Sequence, residues 1–140
     1  MGSARIVREG TDVTLISYGS SVATCLEAAG IAAAEGRSVQ VIDVRTLTPI
    51  DDATITAAVR GTGRAVVVAE APGYASVASE IQSRVFERCF EFLEAPVRKV
   101  TGFDTPFAPP KFEHWYLPDA DRVLDAIDTL HWLDEHGEEA

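Results

Sequence analysis

The sequence predicts an α/β domain of three layers, with helices on both faces of a mostly parallel sheet. Short runs of β-branched and aliphatic residues alternate with stretches whose apolar positions recur at helical spacing. Glycine-rich turns separate the two kinds of segment. The strand-like runs are close to continuously apolar, as befits strands covered on both sides, and the alternation implies parallel pairing through crossover helices.

Each element has its own signal. Asp12 to Tyr18 is a β-branched run that ends at Gly19-Ser20-Ser21, a turn with possible N-caps. From Val22 to Glu35, Val22, Cys25, Leu26, Ala29 and Ala33 fall on one helical face, and Gly36 stands where a glycine stops a helix. Ser38 to Val44 predicts the second strand. Thr48 to Asp52 leads into a helix over roughly Asp52 to Arg60, closed by Gly61-Thr62-Gly63. Arg64 to Glu70 is the third and most hydrophobic strand. After Ala71-Pro72-Gly73-Tyr74, a longer helix runs from Val77 to Leu93. Val77, Ile81, Val85 and Cys89 form its buried stripe, and Phe86, Phe90 and Leu93 broaden it. Pro96 breaks that helix, Val97 to Thr101 predicts a fourth strand, and a last helix spans Asp119 to Leu133 with Val123, Leu124, Ile127 and Leu130 inward. Between them, Phe103, Phe107, Phe112, Trp115, Tyr116 and Leu117 call for burial against this domain or a partner.

At 140 residues the chain fits one core. Met1-Gly2-Ser3 reads as a cloning remnant, residues 4–133 as the domain and residues 134–140 as an acidic tail. This leads us to expect a domain taken from a longer chain. Apolar residues at 46% and charged ones at 24% are those of a globular protein, and no apolar run is long enough to span a bilayer. A net charge of −10 argues against nucleic acid as a partner. Most of that charge lies from Asp119 onward, where eight acids stand against Arg122 alone. It reads as a solvated helix face and tail, with a basic protein partner as the functional alternative. Cys25 and Cys89 lack CxxC or metal-finger spacing and read as reduced, buried thiols of a cytoplasmic protein.

Candidate chemistry is sparse. The turn at Gly19 to Ser21 carries neither GxGxxG nor GxxxxGK[ST], so it reads as a helix cap ahead of a nucleotide site. Asp43 stands near a strand end, where α/β proteins place functional groups, but Arg45 offers it an ordinary salt bridge. His131 and His136 face apart at i, i+5, and His114 has no nameable catalytic partner. A small enzyme or nucleotide-binding domain using Gly19 to Ser21 or Asp43 stays open as a rival.

Two runs, Gly10 to Gly19 and Val41-Ile42-Asp43-Val44-Arg45-Thr46-Leu47-Thr48-Pro49-Ile50-Asp51, resemble the transketolase C-terminal domain found in beta subunits of thiamine-dependent 2-oxo acid dehydrogenases. Val67 to Pro72, Ala78-Ser79-Glu80-Ile81, Leu93-Glu94-Ala95-Pro96 and Val100-Thr101-Gly102 continue the match in order. Gly102 to Phe107, Phe112-Glu113 and Tyr116 to Asp119 are most similar to the branched-chain (2-oxoisovalerate) enzyme, with pyruvate and acetoin enzymes as alternatives.

The resemblance implies a mostly parallel sheet with one antiparallel edge strand. It implies a decarboxylase component of α2β2 form, in which thiamine diphosphate and magnesium lie between the alpha subunit and the N-terminal domain of beta, and the acyl product passes to a lipoyl arm. This chain, lacking that N-terminal domain, is expected to hold no cofactor and to be inactive alone. Its implied roles are pairing with a second beta subunit and holding the peripheral-subunit-binding domain of the lipoyl acyltransferase. Glu94, in the Leu-Glu-Ala-Pro turn, resembles the family's acidic contact to that domain; the ordinary reading is an exposed helix-end acid. Two departures stand out: the chain continues through Asp134 to Ala140 where relatives dock a terminal carboxylate, and Ala75-Ser76 replaces a common glycine pair.

Overall fold

The computed structural model describes residues 3–45, 50–72, 77–102 and 120–130. In chain order they form β1 (Arg5–Arg8), β2 (Val13–Ser17), α1 (Ser21–Ala34), β3 (Val39–Asp43), α2 (Asp52–Thr62), β4 (Ala65–Pro72), α3 (Val77–Cys89), a 3-10 turn (Phe90–Phe92), β5 (Arg98–Gly102) and α4 (Ala120–Asp128). The five strands make one sheet in the order β1-β3-β2-β4-β5. All pairings are parallel except β1 with β3, so the expected antiparallel edge is present. β1 itself was not expected from local pattern. Its four residues are exposed or half-buried, and such an edge has too little apolar alternation to signal a strand.

β2 lies at the centre, and every one of its residues is buried. Alternation along it divides the interior into two cores. Val13 and Leu15 meet Cys25, Ala28, Ala29 and Ala32 of α1 and Val123 and Ile127 of α4. Ile16 meets Ile55 and Val59 of α2 and Ile81 and Val85 of α3 on the other side. This is the predicted three-layer arrangement. The remaining β2 side chains are polar and buried, and each is satisfied. The hydroxyls of Thr14 and Thr62 lie 2.8 Å apart, Gln40 donates its amide to Thr14 at 3.1 Å, and Ser17 donates to the Val68 carbonyl at 2.8 Å.

The helix ends follow the sequence in kind and shift in detail. Gly36 takes φ 94° after α1, and the N–H groups of Gly36 and Arg37 return to the carbonyls of Ala33 and Ala32 at 3.1 and 2.9 Å. α2 continues through Gly61 and stops at Gly63, at φ 76°. α3 ends four residues before the expected Leu93, tightening into the 3-10 turn. Ser20 occupies the N-cap of α1 but makes no side-chain cap bond. The buried face of α1 is Cys25, Ala28, Ala29 and Ala32; Leu26 and Ala33, expected inward, are exposed. The buried face of α1 is thus made mostly of small side chains. The stretch from Phe103 to Leu117 and the tail beyond Leu130 lie outside the described residues. No helix among the described residues is long and apolar enough to cross a membrane.

Asp51 joins two segments at the head of α2. Its carboxylate accepts from the Thr54 N–H at 3.2 Å, the Thr54 hydroxyl at 2.7 Å and the Ala4 N–H at 2.9 Å. These bonds, the Thr54 hydroxyl first, hold its pKa below the usual 3.8. A carboxyl depressed on folding stabilises above its unfolded pKa and loses that effect as pH falls through the folded value. We expect Asp51→Ala to cost about 1 kcal/mol at neutral pH. In urea unfolding followed over pH, the gap between parent and variant should close below the ordinary carboxylate range; a gap that stays constant would contradict this account.

Candidate docking site

The turn that leaves α3 builds the most distinctive surface of the described residues. Ile81, Val85 and Cys89 repeat every four residues and face the second core. One position further along, Gln82 and Phe86 of α3 and Phe90 at the start of the 3-10 turn repeat in the same way and line the side away from that core. Phe86 is 51% exposed and Phe90 63%, with ring centroids 5.3 Å apart in an edge-to-face pair. The expectation that both widen the buried stripe is therefore corrected. The sequence did hold a signal for this: Ser79, Gln82 and Ser83 lie on that face, which is too polar for a core.

The two rings, with Leu93, Pro96 and Val97, line an open groove of about 660 Å³. Its base is pinned by polar contacts. The Gln82 amide donates to the Val97 carbonyl at 2.6 Å, and the Lys99 ammonium to the Ser79 hydroxyl at 2.7 Å. On the α2 side, the Arg60 guanidinium lies 5.0 Å above the Phe92 ring, and Arg60 donates to the Arg88 carbonyl at 3.4 Å. Arg84 joins Asp52 and Glu80 at 2.8 and 2.7 Å, tying the head of α2 to α3.

Glu94 stands at the groove rim. Its N–H donates to the Gly63 carbonyl at 2.8 Å, and its carboxylate meets the Arg64 guanidinium at 2.8 Å. The side chain stays 60% exposed while that of Arg64 is 13% exposed. Arg64 also donates through Nε to the Leu130 carbonyl at 2.8 Å. Gly63 permits this close packing, since a Cβ there would lie 3.0 Å from the Glu94 carboxylate in addition to the strain at φ 76°. Glu94 is thus more than a loose helix-end acid. It is a held carboxylate with most of its surface in solvent.

The other candidate positions do not converge on a site. Asp43 accepts from the backbone N–H of Arg45 at 3.0 Å, so the expected salt bridge is replaced by a local turn with Arg45 at φ 65°. Gly19 to Ser21 forms a turn and helix start, with Gly19 at φ 62°. Both thiols are free and buried. Burial pushes Cys25 up to about 12, against a hydrogen bond from Ser17, and raises Cys89 against the nearby Arg60 and Arg88 charges. His114, His131 and His136 lie outside the described residues. Among the described residues no group of three or more His, Cys, Asp or Glu is placed to hold a metal ion.

The described residues define an α/β domain with a mostly parallel sheet and an apolar groove beside α3. The family model for the transketolase C-terminal domain matches residues 2–123, and the chain belongs to that family. It is similar to the pyruvate dehydrogenase E1 component subunit beta of Leifsonia xyli, 54% identical over 126 residues, covering 90% of this chain and 37% of the relative. It is also similar to the mitochondrial 2-oxoisovalerate dehydrogenase subunit beta of Dictyostelium discoideum, 45% identical over 128 residues, covering 91% and 34%. Among solved structures it resembles a split-gene transketolase described as an inactive beta4 tetramer, with TM-score 0.76 and 32% identity over 92% of this chain and 41% of that one. The homologues are E1 beta subunits of pyruvate and branched-chain 2-oxo acid dehydrogenases. The chain spans between a third and two-fifths of the length of these curated relatives.

The two faces of α3 should separate in mutagenesis. Ile81→Ala is expected to lower unfolding free energy by about 2–5 kcal/mol, as for other buried truncations. Phe90→Ser, on the exposed face, should change it by less than about 1 kcal/mol. Equal losses in urea titrations would show that Phe90 belongs to the core.

Proposed function

We propose that this chain is the C-terminal assembly and docking domain of the beta subunit of a 2-oxo acid dehydrogenase. In the full enzyme the reaction would be oxidative decarboxylation of a 2-oxo acid with acyl transfer to a lipoyl group. The observation that carries the docking role is the groove with two exposed phenylalanines and a held carboxylate, Glu94, at its rim. Apolar anchors beside a charged rim are what protein interfaces use, the anchors for affinity and the charge for orientation and association rate. The split-gene transketolase that the chain resembles is described as a beta4 tetramer, which supports pairing between beta subunits as a further role of the domain.

Thiamine diphosphate and magnesium would supply the carbanion chemistry of the whole enzyme. The described residues do not fit that pair, since no acidic or histidine cluster among them is placed to hold the metal. In this reading the cofactor is held by the alpha subunit and the N-terminal domain of beta. The domain contributes assembly: contacts to its own N-terminal domain, to a second beta and to alpha, and a seat for the peripheral-subunit-binding domain of the lipoyl acyltransferase.

A basic group on that binding domain would meet Glu94. Glu94→Lys should therefore weaken its binding by about tenfold in titration calorimetry, close to 1.4 kcal/mol. Unchanged affinity would remove the role given to Glu94.

Substrate follows two lines of support. Resemblance in the Gly102 to Asp119 stretch favours branched-chain 2-oxo acids, and we take that as the first reading. The 54% identity to a pyruvate dehydrogenase beta subunit, against 45% and 42% for branched-chain relatives, favours pyruvate as the second. Steady-state kcat/KM of the assembled α2β2 enzyme with 3-methyl-2-oxobutanoate and with pyruvate decides between them. The first reading expects the branched substrate to lead, and a lead by pyruvate replaces it with the second.

A further inference from the structure

The groove beside α3 is tied to the point where the last described stretch ends. Leu130 completes the inward stripe of Val123 and Ile127, and its N–H donates to the Ile127 carbonyl at 3.1 Å. Its carbonyl accepts from Arg64 Nε at 2.8 Å, and the same guanidinium meets the Glu94 carboxylate on the groove rim, also at 2.8 Å. One planar group thus spans the gap from Leu130 to the groove. We propose that the chain's own C-terminal segment fills this groove, with Trp132 and Leu133 seated against Phe90, Leu93 and Pro96. The seat needs only this chain; its consequence for a partner rests on the docking role given above.

Reach allows it. A chain spans at most about 3.6 Å per residue, so Trp132 can stand about 7 Å past Leu130 and Leu133 about 11 Å. Composition selects it. The ten residues after Leu130 hold one pair of large apolar side chains, Trp132-Leu133, followed by Asp134, Glu135, Glu138 and Glu139. That pair falls beyond the stripe that Leu130 completes, and a tryptophan has more apolar surface to cover than most side chains. The groove offers the matching surface, since Phe86 and Phe90 already stand edge to face with their rings exposed. Charge agrees. Arg64 meets the Glu94 carboxylate, which relieves its repulsion of the acids beyond Leu133. At the other end of the groove, the Lys99 ammonium on the Ser79 hydroxyl supplies a charge of the opposite sign.

The groove is open, so the segment lies on the surface and exchanges, which accords with the small change in stability expected for Phe90→Ser. A partner that docks here displaces the segment first. Its apparent affinity falls by the fraction of molecules in which the groove is already filled.

Trp115→Phe leaves Trp132 as the single tryptophan of the 140-residue chain, and acrylamide quenching of its emission reads its exposure. We expect bluer emission and a several-fold lower Stern–Volmer constant in the native chain than in urea. Adding Phe90→Ser should move both most of the way to the unfolded values while the circular dichroism stays native. Quenching as ready as in the unfolded chain overturns the proposal. So does protection that survives Phe90→Ser, because Trp132 is then covered elsewhere, or protection that grows with protein concentration, because the occupant is then a second copy. If Trp115→Phe does not fold, the difference in emission between the parent and Trp132→Phe gives the same reading. Titration with the peripheral domain separates the seat from the docking role. A chain ended after His131 keeps the Leu130 carbonyl and lacks the occupant, and should bind that domain several-fold more tightly than the full chain. Equal affinity, with Trp132 released by Phe90→Ser, removes docking from this groove and leaves the seat. Equal affinity with Trp132 freely quenched removes the seat and leaves the docking role.

Discussion

The burial of β2 on both faces is the constraint on which the rest of the domain depends. A strand covered on both sides cannot slip by one residue, because each side chain would exchange one core for the other. Its parallel registers with β3 and β4 are fixed together, Leu15 lying beside Val41 and Val66, and Ile16 beside Ile42 and Val67. Thr14 adds a polar condition to the apolar one. Its hydroxyl must find Thr62 and Gln40, so the end of α2 and the start of β3 are set by the same strand. Gly10 lies at this end too. A Cβ there would run into the Val39 backbone, so the turn into β2 closes against β3 only with glycine.

Most of this architecture was legible in the residues. The β-branched runs and the glycines at positions 36 and 63 mark strands and helix ends by steric preference alone, and such signals survive packing. Other features were not legible, for reasons that differ. β1 is short, exposed and paired only on one side, so its strand character comes from β3. The face of α1 could not be read from hydrophobicity because it is built mostly of alanines, which differ little from the exposed alanines of the same helix, while the larger Leu26 lies outside it. Phe86 and Phe90 misled because apolar residues at helical spacing usually mean core, and only the serines and glutamine beside them spoke against it.

The candidate site was legible in part. Glu94 was visible only through resemblance, as an acid in a familiar turn. Nothing in its neighbourhood in sequence announces Arg64, thirty residues away, or the glycine at 63 that lets the two segments touch. Asp43 shows the converse: a sequence neighbour, Arg45, suggested an ion pair, and the short turn gave the bond to its backbone instead. The family relationship places that turn in a domain the chain shares with E1 beta subunits.

Arg64 carries a consequence of its own. The same guanidinium reaches the Glu94 carboxylate with one nitrogen and the Leu130 carbonyl, just past the end of α4, with another. Two electronegative ends from opposite faces of the sheet thus share one planar cation. Lysine would keep the charge but lose the planar fork that presents two nitrogens to the two acceptors in fixed directions. Geometry rather than charge makes the position hard to replace. It also means that a change at residue 64 will be felt on both layers at once, so an effect on the groove cannot be read from Arg64 without following the last helix as well.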